Sequence, residues 1–197
     1  MIDLRFHEEF LDGIKKKFPN ININKALELL PHFDIIHIPK KQHIIKAGTY
    51  YGKIVIVISG LFRAYYYSEI EEHTFWFREE HTIFAAHRCI LQNKPSSISY
   101  QAIEDSIVAV IDYFQLKKIA ENDTEVAKSI IAALESLLLE LIDRVEEFVT
   151  YLPEDRYKVF IEKHSNIITR LPQNQLASYL GITPVSFSRM KNRMMHR

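Results

Sequence analysis

"QNQLASYLGITPVSFSRMKNR", residues 173–193, sets a short apolar-faced helix, a single glycine and a second helix in direct succession. Leu176, Ala177 and Leu180 share one face of the first helix, and Ala177 is small where a second helix has to cross closely. Gly181 is free to take a positive φ at the turn, and Ile182 fills the corner. Thr183 followed by Pro184 reads as an N-cap and a first helical residue, so the second helix packs through Phe187 and Met190. Ser186, Ser188, Arg189, Lys191, Asn192 and Arg193 are left for its other faces, with no acid among them to repel phosphate. The grammar is helix-turn-helix. Any helical hairpin shares the glycine turn; the polar and basic content of the second helix is what favours DNA reading.

Charge supports that choice. The 197-residue chain has no net charge, yet no acidic residue follows Glu162, while Lys163, Arg170, Arg189, Lys191, Arg193 and Arg197 do. A neutral body with a basic end is the electrostatic footprint of a nucleic-acid module, although a solvated basic tail gives the same count. Upstream, "LPEDRY" puts Pro153 at a first helical position and Glu154 and Asp155 where the helix dipole favours carboxylates. A domain boundary is therefore placed at 152, with Tyr157, Phe160 and Ile161 as a small core of a three-helix unit over 152–197.

Residues 122–151 contain no Gly and one continuous helical pattern, roughly 40 Å long. Ile131, Leu134, Leu138, Leu141, Val145 and Phe148 are spaced 3,4,3,4,3, a heptad seam that calls for a partner helix. Ile130, Leu137 and Leu139 add a second apolar face, one for the body and one for a second copy of the chain, so a parallel homodimer is expected. Before it, residues 33–114 change character. "DIIHIPK", "HIIKAG", "KIVIVISG", "LFRAYYY", "EHTFWF" and "SIVAVID" are short Ile/Val/aromatic runs separated by turn residues, an antiparallel β segment. Gly48, Gly52 and Gly60 fall between these runs. Phe6, Phe10, Ile14 and Phe18 recur every four residues in an amphipathic N-terminal helix that Pro19-Asn20 ends.

The fold class expected is α+β: an antiparallel β-roll with flanking helices over 1–121, a dimerisation helix over 122–151, and the helix-turn-helix domain over 152–197. Hydrophobic residues at 47% and charged residues at 25% are ordinary globular proportions, and no apolar run is long enough to span a bilayer. A cytoplasmic protein without a membrane partner follows. The lone Cys89 forms no internal disulfide and excludes a multi-thiolate metal site.

Together, "IPKKQHIIKAG", "VISGLFRAYY", the long helix and "LASYLGITPVSFSRMK" resemble the Crp/Fnr superfamily of bacterial transcription regulators, and most of all its short Bacteroidetes-type members. The resemblance implies a cyclic-nucleotide-binding-like jelly roll, a parallel dimer, binding to double-stranded DNA at a palindromic operator, and RNA polymerase as a further partner without a marked contact surface. It places base contacts at Arg189, Val185 and Pro184 and phosphate contacts at Thr183, Ser186 and Gln173. Arginine bidentate to guanine is the commonest specific major-groove contact. The resemblance also shows where this chain departs: Ala85 and Ala86 stand at the cassette's Gly-Glu positions, and Ser96 and Ser97 at its Arg-Ser positions. Without those partners a buried cyclic phosphate is uncompensated, so the effector is altered or absent, its identity unknown. Arg78 or Arg88 as a substitute cation would make the protein a cyclic-nucleotide-responsive regulator with a non-standard pocket.

A metal-binding cupin is the rival from another class, built from His73, His81 and His87 with Glu71, Glu72, Glu79 and Glu80. No H-x-H pair, G-x-S-x-G, P-loop or H-E-x-x-H occurs. No enzyme activity, cofactor or metal is expected.

Overall fold

The computed structural model describes residues 4–195, with side chains from residue 10 to 194. Two helices, α1 (Leu4–Lys17) and α2 (Ile23–Leu29), precede the strands, so Phe10 and Ile14 of the fourfold repeat are helical and Phe18 directly follows the helix; Phe6 lies outside the described side chains. The roll consists of β1 (Asp34–Ile38), β2 (His43–Ile45), β3 (Lys53–Ser59), β4 (Phe62–Tyr67), β5 (Glu72–Arg78), β6 (Ile83–Ala85), β7 (Ser99–Ala102) and β8 (Ser106–Asp112). The short helix α3 (His87–Gln92) lies between β6 and β7. The strands form two four-stranded sheets, β1-β8-β3-β6 and β2-β7-β4-β5, in which every pair is antiparallel. The six strands expected from the sequence are present. Two more, β6 and β7, and helix α3 were not expected.

Strand alternation divides the first sheet into two apolar faces. Val55, Val57, Val108 and Val110 point into the roll, where they pack with Phe62, Ala64, Phe84 and Tyr100. Ile54 and Ile111 point outward, into a separate cluster with Leu116 and Val126. Between β3 and β4, Gly60 takes φ +103°, and a Cβ there would sit 2.2 Å from Ser106 Oγ, so only glycine fits.

After β8 the chain forms α4 (Tyr113–Asn122) and α5 (Thr124–Thr150). The long helix thus starts two residues later than the sequence pattern indicated. Asp123 is extended and its carboxylate accepts the N–H groups of Glu125 and Val126, which makes it the cap that divides the two helices. Pro153 opens α6 (Pro153–Lys163), followed by α7 (Gln173–Tyr179) and α8 (Pro184–Met195). Tyr157 and Phe160 are buried as expected, but Ile161 is 36% exposed because it lies on the solvent side of α6. Their core is continuous with the roll: Phe77 of β5 and Leu61 and Ile103 from turns beside the strands join Phe160, Leu176, Tyr179 and Phe187 in one cluster.

Candidate nucleic-acid interface and effector pocket

The turn at Gly181 is built from backbone bonds. Gly181 N–H donates to Ser178 O at 3.0 Å and Ile182 N–H to Ala177 O at 3.1 Å, a Schellman closure with Gly181 at φ +72°. The last carbonyls of α7 are taken up by two arginines. Arg144, buried on α5, donates to Tyr179 O and lies 3.5 Å from the Tyr179 ring centroid. Arg156, buried on α6, donates to Leu180 O at 2.7 Å and to Tyr151 O at 2.9 Å. These two side chains fix the turn against α5. They were not among the expected site residues, since a lone arginine in a helix reads as solvated until its burial is known.

Beyond the turn, Thr183 Oγ1 accepts the Ser186 N–H at 3.2 Å and so caps α8, as expected. Phe187 and Met190 are buried. Pro184, Val185, Ser186, Ser188, Arg189, Asn192 and Arg193 are exposed, as is Gln173 of α7, while Lys191 is half-buried. Arg189 and Arg193 make no ion pair among the described residues. The charge count is corrected in two places. Lys163 pairs with Glu147 at 2.8 Å and Asp143 at 3.4 Å, and Arg170 pairs with Glu80 at 2.7 Å and with Glu104. Lys163, although exposed, ties α6 to α5, and the half-buried Arg170 ties the C-terminal segment to the roll; Arg197 lies outside the described residues.

A further ionic contact at this junction is Glu79, 6% exposed at the end of β5. Burial alone raises its pKa, but His164 Nδ1 at 3.6 Å, Lys17 Nζ at 2.8 Å and the Asn166 amide outweigh burial and bring it to about 2. The folded value lies below the ordinary 4.5, so the unfolded chain takes up the proton first. The resulting stabilisation, on the order of 3 kcal/mol, is complete above pH 4.5 and is lost as pH falls toward 2. Urea melts of Glu79→Gln should show a stability deficit at pH 7 that closes across that window. A deficit unchanged by acid removes Glu79 from the acid limb.

The four cassette positions are also located. Ala86 and Ser96 are buried and Ser97 half-buried. The Ser96 hydroxyl donates to Ile98 O at 2.7 Å and accepts the Ile98 N–H at 3.2 Å, so it is spent on its own loop. Ala86 faces the roll core. Ala85, in contrast, pairs with Ile54 and shares the outward face of the sheet. Of the substitute cations, Arg88 is exposed on α3. Arg78 is buried at the end of β5, stacked over the Trp76 ring at 4.1 Å and paired with Glu140 of α5 at 2.7 Å. Neither stands free inside the roll. Burial pushes the Tyr100 hydroxyl, inside the roll, up to about 12, so it stays neutral.

The heptad residues are exposed: Ile131, Leu134, Leu138, Leu141 and Val145 lie between 47% and 55–56% accessible. Phe148 is divided, 44% exposed but with the Arg144 and Arg156 guanidinium groups each 4.5 Å from its ring centroid. Of the second face, Ile130 and Leu137 turn toward the body, whereas Leu139 is 62% exposed and does not. The histidines of the cupin reading are dispersed. His73 Nε2 lies 3.0 Å from Ser68 Oγ, His81 packs against Phe10, and His87 opens α3. Among the described residues no three His, Cys, Asp or Glu side chains form a metal-holding group, and no helix is long and apolar enough to cross a membrane.

Residues 35–123, which include most of the roll, match the model of the cyclic nucleotide-binding domain family. Over most of its length the chain then has the fold of Crp/Fnr-type regulators. It is similar to FixK2 from Bradyrhizobium japonicum at 17% identity and a TM-score of 0.72, over 83% of this chain and 85% of that one. A CooA mutant from Carboxydothermus hydrogenoformans is 20% identical with a TM-score of 0.69, over 86% of this chain and 79% of that one. The c-di-GMP responsive regulator CLP from Xanthomonas campestris is 13% identical with a TM-score of 0.68, over 89% and 92%. No curated protein matches the sequence.

Proposed function

We propose that this chain is a homodimeric, sequence-specific DNA-binding transcriptional regulator of Crp/Fnr type, not an enzyme, acting in the cytoplasm. The observation that carries the reading is the α8 surface: Arg189 and Arg193 exposed and unpaired among the described residues, on a helix whose start is fixed by Thr183 and the Gly181 turn. In this reading α7 and α8 are a helix-turn-helix whose second helix enters the major groove. Arg189, Val185 and Pro184 meet base edges, and Thr183, Ser186, Ser188, Gln173, Lys191, Asn192 and Arg193 meet or approach phosphates. Pro184 and Val185 offer apolar contact, which suits a thymine methyl. The domain limits 1–121, 122–151 and 152–197 are part of the proposal, with α5 joining two copies so that their recognition helices stand about 34 Å apart.

Selection of genomic fragments by the purified protein tests it. Enrichment of a palindrome is expected, and failure to enrich any sequence sinks the regulator reading.

In the same proposal the cyclic-nucleotide pocket is degenerate. Ala86 and the self-satisfied Ser96 leave a cyclic phosphate without donors, and Arg78 is already paired with Glu140. Calorimetry with cyclic AMP should detect no binding at micromolar concentration. Saturable binding there would establish instead a cyclic-nucleotide-responsive regulator, with Arg78 released from Glu140 as its cation.

A further inference from the structure

A cavity of about 250 Å³ lies between the outer face of the first sheet and the surrounding helices. Its floor includes Ile54, Ile56 and Ile111, and one wall is α5 through Ala133, Leu134 and Leu137. Four of its lining residues, Ala26, Ala85, Ala109 and Ala133, are alanines, which leaves space there. The polar groups nearby are mostly spent. Lys25 is paired with Glu28 at 2.7 Å and Asp123 at 3.0 Å, and Ser129 Oγ donates to Glu125 O at 3.0 Å. His87 lines the cavity and is exposed, which puts it where the cavity meets solvent.

We propose that this cavity is a binding site for a medium-length aliphatic molecule. An apolar cavity of ~150 Å³ stays free of water and takes benzene, so one of about 250 Å³ has room for roughly ten carbons. Its walls offer such a ligand apolar contact and offer water almost no hydrogen bonds, which selects against nucleotides and sugars. Leu134 links the site to the rest of the molecule. It lines the cavity and is also 55% exposed in the heptad seam between Ile131 and Leu138. A ligand touching Leu134 therefore contacts the segment of α5 that would meet a second copy. Binding stands by itself; an effect on DNA rests on the regulator reading.

The probe is 1-octanol, titrated calorimetrically into the full chain, with octanoate as a charged counterpart. One saturable site per protomer and a raised melting temperature are expected. Ala133→Phe and Ala85→Leu fill the cavity from opposite walls, so misfolding of one variant leaves the other. Each should weaken octanol binding at least tenfold while keeping a cooperative melt. No saturable binding, as would follow if side chains of a second copy fill the cavity, overturns the proposal. So does octanol affinity unchanged in a folded filling variant. Octanol binding by a protein that enriches no DNA sequence would sink the regulator reading and leave the cavity assignment in place.

Discussion

Replacing Leu138 and Leu141 together by glutamate should convert the protein from a dimer to a folded monomer that no longer holds a two-half-site operator. Both leucines are about half-exposed in the single chain, so the monomer's own core does not depend on them. Burying the exposed half of each in a dimer seam is worth roughly 0.8–1.5 kcal/mol, and two copies contribute four such side chains. Losing them weakens the dimer by about 3–6 kcal/mol, some two to four orders of magnitude in Kd, before the cost of burying carboxylates is added. Sedimentation should fall to the monomer value while the melting transition of the roll persists. An unchanged sedimentation coefficient would mean that the stripe is not the dimer seam.

Arg189→Ala should weaken binding to the selected site by about 1–3 kcal/mol and relax one base position. Arg189 lies in the second turn of α8, exposed and without an ionic partner among the described residues, so its removal leaves the helix intact. A bidentate contact to guanine is lost only on sequences that carry that guanine. Arg193→Ala provides the contrast: a phosphate contact weakens all sequences alike and lowers the salt slope by about one. Should Arg189→Ala weaken every sequence equally, it too is a phosphate contact and base reading passes to Val185 and Pro184.

The parts of this molecule that follow local rules were legible in its sequence. Gly181, Thr183 and Pro184 specify a turn, a cap and a helix start within four residues, and the structure has each in place. The longer strands were legible from their Ile/Val runs. β6 (IFA) and β7 (SYQA) were not, because neither carries an Ile/Val run, and α3 between them has one buried residue, Cys89. Ionic partners were illegible for a different reason. Arg170 and Lys163 look like a basic tail until the fold brings Glu80, Glu104 and Glu147 to them across long stretches of chain. Arg144 and Arg156 illustrate the same limit, since their acceptors are backbone carbonyls, which no composition records. Ile161 was assigned to a packed face by spacing alone, yet its helix turns that position to solvent.

Helix α7 lies along β5, the outermost strand of its sheet, and the Ser178 hydroxyl stands in for the next strand. It accepts the Thr74 N–H at 2.9 Å and donates to Glu72 O at 3.3 Å. Exposed strand edges recruit other chains, so the helix closes a surface on which copies of this protein could aggregate. The α7–α8 pair is therefore a steward of the roll's solubility as well as the proposed DNA reader. A chain cut before residue 152 would bare that edge together with Leu61, Phe77 and Ile103. The isolated roll should then precipitate at concentrations where the whole chain stays in solution.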